Sequence, residues 1–293
     1  MVYRILALLL ILLPALVSAQ SSYQELHNLQ YRTSSLDSIN SKFSEEQKLN
    51  FLQATYLEED SIQFEYPDYD PDYPEDPRYF PLRWSDFYLM DLNDDDQLDL
   101  VYSGPSGWNG LMGTKIYLQK ESRLELIDQI QGGLLDIVQQ ERSTLLHTTW
   151  VPCCDSYTSR IETYEVNSDK VERVESISVI GRIRLQGYPH FDGLPDGQVL
   201  NPQLWAIPED FRQTHPYFRE RNRELRDSLK RRANIPLIEL DGNLLVKILA
   251  QKEIRGIKMR LILTPPLDNI PKSIYEWSVG DKRRFIGWVV VEN

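Results

Sequence analysis

The stretch "FYLMDLNDDDQLDLVYSG", residues 87 to 104, says most about how this chain folds. It opens with an apolar and aromatic run, passes through an acidic segment from Asp91 to Asp99, and closes with a second apolar and aromatic run. Short runs of this kind, bounded by turn-forming Asp and Asn, are typical of β-strands. The stretch therefore predicts two strands joined by an acidic loop.

Similar runs begin with this stretch and continue to residue 180, separated by turn residues such as "NSDK". The predicted strands are "FYLM", "LDLVYSG", "TKIYLQ", "LELIDQI", "LLDIVQQ", "TLLHTTW", "SRIETYEV" and "VERVESISVI", and strands return at "LLVKILAQ", "KMRLILT" and "FIGWVVVE". Short strands in close succession indicate an antiparallel meander. The predicted fold class is mainly β with helical additions (α+β): a meander or partial propeller-like unit over 81–180, then a small β-barrel-like unit over 181–293 with a helical insertion at 208–233.

The N-terminal 80 residues are predicted to hold three segments. Residues 1–19 combine Arg4, a short apolar run and small residues before Gln20, which is the pattern of a secretory signal peptide. A helical arm follows over 20–63, with a Ser44 to Gln47 capping box. An acidic linker rich in Tyr and Pro, rather than a second calcium site, is predicted over 64–80. We expect an exported protein, periplasmic or extracellular, with no transmembrane span in the mature chain.

Composition limits the classes of partner. The 293 residues carry a formal net charge of -12, and nucleic acids and anionic membrane surfaces bind basic faces. We therefore expect no nucleic-acid partner. An excess of acid suits the capture of cations instead.

The acidic loop has the spacing of a calcium loop. Counting Asp91 as the first position, carboxylates or amides fall at the first, third, fifth and ninth positions. A loop whose alternate residues face inward supplies calcium with the oxygens it requires, and the backbone carbonyl of the seventh residue adds another. The ligand set consists of Asp91, Asn93, Asp95, Gln97 through its backbone, and Asp99. The alternative is a solvated Asp-rich turn without an ion.

Two known calcium motifs can be compared with this loop. An EF-hand requires flanking helices and a Glu at the twelfth position, where this chain has Tyr102 between predicted strands. The strand, the loop and the second strand "LDLVYSGP" instead resemble one FG-GAP or VCBS-type repeat, the calcium-loop blade of integrin-like β-propellers, over about 84–118. That family usually has Gly at the sixth position, whereas this chain has Asp96, which tolerates left-handed backbone better than most residues. The resemblance implies a bound calcium ion held by the same five residues.

The chain has two cysteines, the adjacent Cys153 and Cys154 in "WVPCCDSY". In an oxidising compartment they can pair with each other, pair with another chain or stay free. Neighbouring Cα atoms lie about 3.8 Å apart, which is closer than ordinary disulfides require, so a vicinal disulfide would be strained. One interpretation is that the cysteine pair acts as a redox switch or as a rigid platform in a ligand site. The alternative is that it forms a structural turn.

The last third of the chain resembles, more loosely, a bacterial Src-homology-like barrel. Its final strand contains Gly287, Trp288 and Val289, which match the closing strand of such barrels. The resemblance implies binding of peptides or cell-wall components through Trp277 and Trp288. The alternative places both tryptophans in the core.

Two functions from different classes follow from these features. The first is an exported, calcium-binding, non-enzymatic binding or scaffold protein whose protein or cell-envelope glycan ligand is unknown. The second is an exported hydrolase or thiol-redox protein that uses Cys153 and Cys154 with His147 and nearby acids.

Overall fold

The computed structural model describes residues 31–55, 83–106, 111–150, 158–180, 187–204, 238–254, 257–267 and 283–291. The predicted signal peptide, the acidic linker, the two cysteines, the helical insertion and Trp277 lie outside the described residues. Within them the chain is mainly β with few helices, as the sequence predicts. No helix in these ranges is long and apolar enough to cross a membrane.

In the described part of the chain, two short helices precede the strands. They are α1, Leu36–Asn40, and α2, Glu45–Thr55. The predicted capping box at the start of α2 is confirmed: the Ser44 backbone N–H donates to Gln47 Oε1 at 2.8 Å, and the Gln47 N–H donates to Ser44 Oγ at 3.2 Å. This exchange satisfies backbone donors that have no partner inside the helix.

The first sheet has four antiparallel strands in sequence order. They are β1, Phe87–Met90; β2, Asp99–Ser106; β3, Leu111–Lys120; and β4, Arg123–Gln131. A 3-10 turn at Trp84–Asp86 leads into β1. Each strand lies on a run that the sequence predicts as a strand, because apolar residues alternate between the two faces of the sheet.

The second sheet has eight strands in the order β5-β6-β7-β8-β14-β13-β12-β9. They are β5, Gly133–Gln139; β6, Thr144–Trp150; β7, Thr158–Asn167; β8, Lys170–Ile180; β9, Asp196–Leu200; β12, Asn243–Ile254; β13, Ile257–Leu263; and β14, Arg284–Val290. The short strands β10, Gln203–Leu204, and β11, Ile238–Glu239, pair separately. Strands from both predicted β units share this sheet, because β8 pairs with β14 in parallel.

The core divides between the faces of the first sheet. On β2, Val101 packs with Ile137 and Leu146 of the second sheet, whereas Leu100 and Tyr102 pack on the opposite face beside Phe51 of α2. Successive side chains of a strand point to opposite faces, so one run serves both cores. The first sheet is thereby fixed between the second sheet and α2.

A further core lies within the second sheet. It contains Ile161, Ile177, Leu261 and Trp288, with Tyr188 packed among them. Trp288 is buried there, which agrees with the interpretation that this tryptophan is a core residue.

Candidate metal centre

The acidic loop connects the first two strands of the first sheet. Met90 pairs with Asp99 at the mouth of the loop, and pairing continues as far as Phe87 with Tyr102. The flanking strands therefore hold both ends of the loop, which is the strand–loop–strand arrangement that the sequence predicts.

Asp91 organises the loop from within. Its Oδ1 accepts from the backbone N–H groups of Asn93 at 3.2 Å, Asp94 at 2.8 Å and Asp95 at 3.2 Å, and its Oδ2 accepts from that of Asp96 at 2.9 Å. Four backbone donors thus converge on the two oxygens of one carboxylate. The loop is thus wound around the carboxylate at its first position.

Two residues of the loop have left-handed backbone. Asp94 has φ 63° and Asp96 has φ 65°. Aspartate is among the few residues that adopt this region readily. Asp96 therefore makes the sharp turn at the sixth position without the usual glycine.

The third, fifth and seventh positions are linked through Asp95. Its Oδ1 accepts from the Gln97 backbone N–H at 2.9 Å, and its Oδ2 accepts from Asn93 Nδ2 at 3.0 Å. The carbonyl oxygen of the Asn93 side chain is buried and has no hydrogen-bond partner. A buried oxygen acceptor without a donor costs free energy, and a bound cation would satisfy it.

Asp99, at the ninth position, is 0% exposed. Its Oδ2 accepts from the Leu92 N–H and its Oδ1 from the Gln119 N–H, both at 2.8 Å. Burial raises the pKa of the Asp99 carboxyl to about 6; these two amides lower it, and the charges of Asp95 and Asp91 add to the rise. A positive ion beside the loop would favour the ionised form of this group.

The loop also contacts the second sheet. Asn93 Nδ2 donates to the Ser168 carbonyl in the turn between β7 and β8 at 2.9 Å, and Gln139 Nε2 of β5 donates to the Asp91 carbonyl at 3.0 Å. Sequence reasoning missed Gln119, Gln139 and Ser168, because no local pattern marks partners so far along the chain. The loop therefore connects the two sheets.

The donor set suits a hard cation such as calcium, which takes carboxylate, amide and backbone oxygens. The five predicted ligands lie on one short loop, and the unpartnered Asn93 oxygen fits a ligand role. Across the described ranges, however, no three His, Cys, Asp or Glu side chains form a group that could hold a metal ion.

The residues of the predicted redox or hydrolytic site are only partly described. His147 is buried in β6, with its Nδ1 2.9 Å from Thr163 Oγ1 and its ring stacked on Tyr188 at 3.8 Å. Cys153 and Cys154 lie outside the described residues, so that hypothesis stays a prediction.

Comparison of the chain with protein-family models, with curated proteins and with solved structures found no match.

Proposed function

We propose that this chain is an exported, non-enzymatic binding or scaffold protein that binds calcium at the loop from Asp91 to Asp99. The loop resembles an FG-GAP or VCBS-type repeat, and the proposed ligands are Asp91, Asn93, Asp95, the Gln97 backbone carbonyl and Asp99. In this proposal the first sheet corresponds to one propeller-like blade, and the strands over 181–293 belong to a barrel-like unit that continues the sheet of β5 to β8. The binding partner of this scaffold is an unidentified protein or cell-envelope or glycan molecule.

The observation that carries the proposal is the buried, unpartnered oxygen of Asn93 within a loop of five aspartates. Several negative charges crowded into one loop repel each other, and a divalent cation removes that repulsion. Burial of Asp99 adds to the cost of leaving the loop without a counter-ion.

Calcium is expected to act as a structural ion. The loop already touches Ser168 and Gln139 of the second sheet, so fixing the loop would fix the two sheets relative to each other. A ligand that binds only the folded state stabilises it by mass action, by about 2.7 kcal/mol when its concentration is 100 times the dissociation constant. The proposed role is therefore stability of the binding scaffold and not turnover.

Thermal unfolding with calcium, with magnesium and with a chelator tests this proposal. We expect calcium to raise the unfolding temperature of the wild type, and magnesium to do so much less, because magnesium retains its water ligands. The variant Asn93→Ala should lose most of the calcium effect. An unfolding temperature that is the same in chelator and in millimolar calcium would refute the proposal.

A further inference from the structure

A segment at the start of the described chain lies across the edge of the second sheet. We call residues 31–36 the N-terminal strap. The Arg32 backbone N–H donates to the Tyr188 carbonyl at 3.0 Å, and the Ser35 N–H donates to Asp136 Oδ1 at 2.8 Å. The Ser35 hydroxyl lies within hydrogen-bond distance of Asp136 Oδ1 at 3.0 Å and of the Ile137 carbonyl at 2.5 Å. Ser34 Oγ adds a bond to the Leu135 carbonyl at 3.2 Å. The strap is thus fastened at Tyr188 and at Asp136.

His147 lies between these two fastening points. Asp136 of β5 pairs with His147 of β6, and His147 pairs with Thr163 of β7. The imidazole is 3% exposed and stacks on the ring of Tyr188. Its Nδ1 contacts Thr163 Oγ1, whereas its Nε2 is buried and has no hydrogen-bond partner. In the imidazolium form, Nε2–H would therefore lack an acceptor.

The carboxylates nearest His147 already accept hydrogen bonds from other groups. Asp136 Oδ1 accepts from the N–H groups of Ser35 and Ile137, and the Glu175 carboxylate of β8 accepts from Tyr188 Oη at 3.1 Å and from Arg284 at 3.0 Å. The Arg32 guanidinium lies over the Tyr188 ring, 5.3 Å from its centroid. Asp136 and Glu175 favour a charged His147 and Arg32 opposes it, and burial outweighs all three.

We propose that the N-terminal strap is an acid-released latch: protonation of His147 separates the strap from Tyr188 and from the sheet, because the imidazolium cannot be hydrated or paired while the strap is closed. Nε2 is buried while the strap is closed. Opening gives that nitrogen a water partner and moves Arg32 away from the new charge. This inference does not depend on calcium binding.

The size of the effect follows from the two protonation equilibria. Burial lowers the pKa of His147 from 6.5 to about 4 while the strap is closed. With the strap open, the imidazole regains its ordinary pKa. Lowering the pH from 7.5 to 5.0 then increases the ratio of open to closed strap by about 30-fold, because the open form binds the proton more tightly.

Hydrogen–deuterium exchange of the full mature chain at pH 7.5 and pH 5.0 tests the latch. After correction for the intrinsic exchange rate, the amides of Arg32 and Ser35 should exchange about 30 times faster at pH 5.0, while residues 113–119 of β3 keep their protection. In His147→Gln, which cannot be protonated, the strap amides should show no such acceleration. Equal acceleration in wild type and His147→Gln, or no acceleration in wild type, would overturn the proposal.

A second measurement decides the matter if His147→Gln loses protection throughout the chain. The proton NMR titration of the wild-type His147 ring should show a midpoint well below 6.5, accompanied by loss of strap protection. Titration near 6.5 while the Arg32 and Ser35 amides remain protected would show that the closed strap accommodates the charge, and the latch would be wrong.

Discussion

Substituting Asp99 by Asn, in the absence of calcium, isolates the cost of burying a carboxylate beneath the loop. Asparagine keeps the size of the side chain and one acceptor oxygen. Asp99 accepts from two backbone amides, those of Leu92 and Gln119, so the variant loses one acceptor at every pH. That constant loss amounts to about 1 to 3 kcal/mol.

The informative part of the change depends on pH. The pKa of Asp99 is raised from 3.8 to about 6 in the folded protein. A raised pKa means that the folded state binds the proton more tightly than the unfolded state. Its stabilising contribution is therefore complete below pH 3.8 and is lost as the pH rises through 6. Between pH 7.5 and pH 4.5 the wild type should gain about 2 kcal/mol relative to Asp99→Asn.

Urea unfolding of both proteins at the two pH values, with chelator present, measures this difference. Titrating groups that do not interact with Asp99 are common to both proteins and cancel in the comparison. A difference in unfolding free energy that is unchanged between pH 7.5 and pH 4.5 would refute the buried, crowded environment assigned to Asp99. A difference that changes in the opposite direction would show that the loop favours the ionised carboxylate even without a cation.

Five further substitutions test the fold, with unfolding free energy as the measurement. Leu89→Ala, in the core between β1 and α2, should cost about 2 to 5 kcal/mol, whereas Leu200→Ala, 72% exposed on β9, should change stability by less than about 0.5 kcal/mol. Gly132→Ala should cost more than about 2 kcal/mol, because its φ is +111° and a Cβ would lie 2.6 Å from the Thr149 carbonyl oxygen; Gly193→Ala, also at positive φ but in open space, should cost about 1 kcal/mol. Ser35→Ala should cost about 1 kcal/mol through its lost bond to Asp136. Equal costs for the two leucines or for the two glycines would contradict the packing described.

The sequence predicts β1 to β8 and β12 to β14 because their signal is local, and it misses the short strands β9, β10 and β11. The continuous apolar run of Leu100, Val101 and Tyr102, whose side chains enter two cores, is visible in the residues themselves, and the turn residues mark where each strand stops. The capping box of α2 is local for the same reason. The antiparallel order of β1 to β4 and of β5 to β8 follows from short connections.

The arrangement of the strands beyond their neighbours is not visible in the sequence. The parallel pairing of β8 with β14 joins residues more than a hundred positions apart. The strap residue Ser35 and its partner Asp136 are likewise about a hundred positions apart in the sequence. Such contacts depend on which faces remain to be covered once the local elements have formed, and a single sequence carries no periodic signal for them.

In the candidate metal loop, too, the local features can be predicted from the sequence and the long-range contacts cannot. The spacing of its acids and the left-handed backbone at Asp96 could be anticipated from residue types. The contacts of Gln119, Gln139 and Ser168 with the loop could not, because those residues come from other strands and turns.

Isothermal titration of calcium into the mature protein tests the central claim most directly, with Asp95→Asn and Asp94→Asn as a matched pair. Both variants lose one charge from the same loop with little change in shape, but only Asp95 belongs to the proposed ligand set. We predict saturable binding to the wild type, similar binding to Asp94→Asn, and at least about tenfold weaker binding to Asp95→Asn, equivalent to about 1.4 kcal/mol. The absence of saturable binding to the wild type at millimolar calcium would contradict the account and identify the loop as a solvated acidic turn. Equal weakening in both variants would contradict the proposed ligand set.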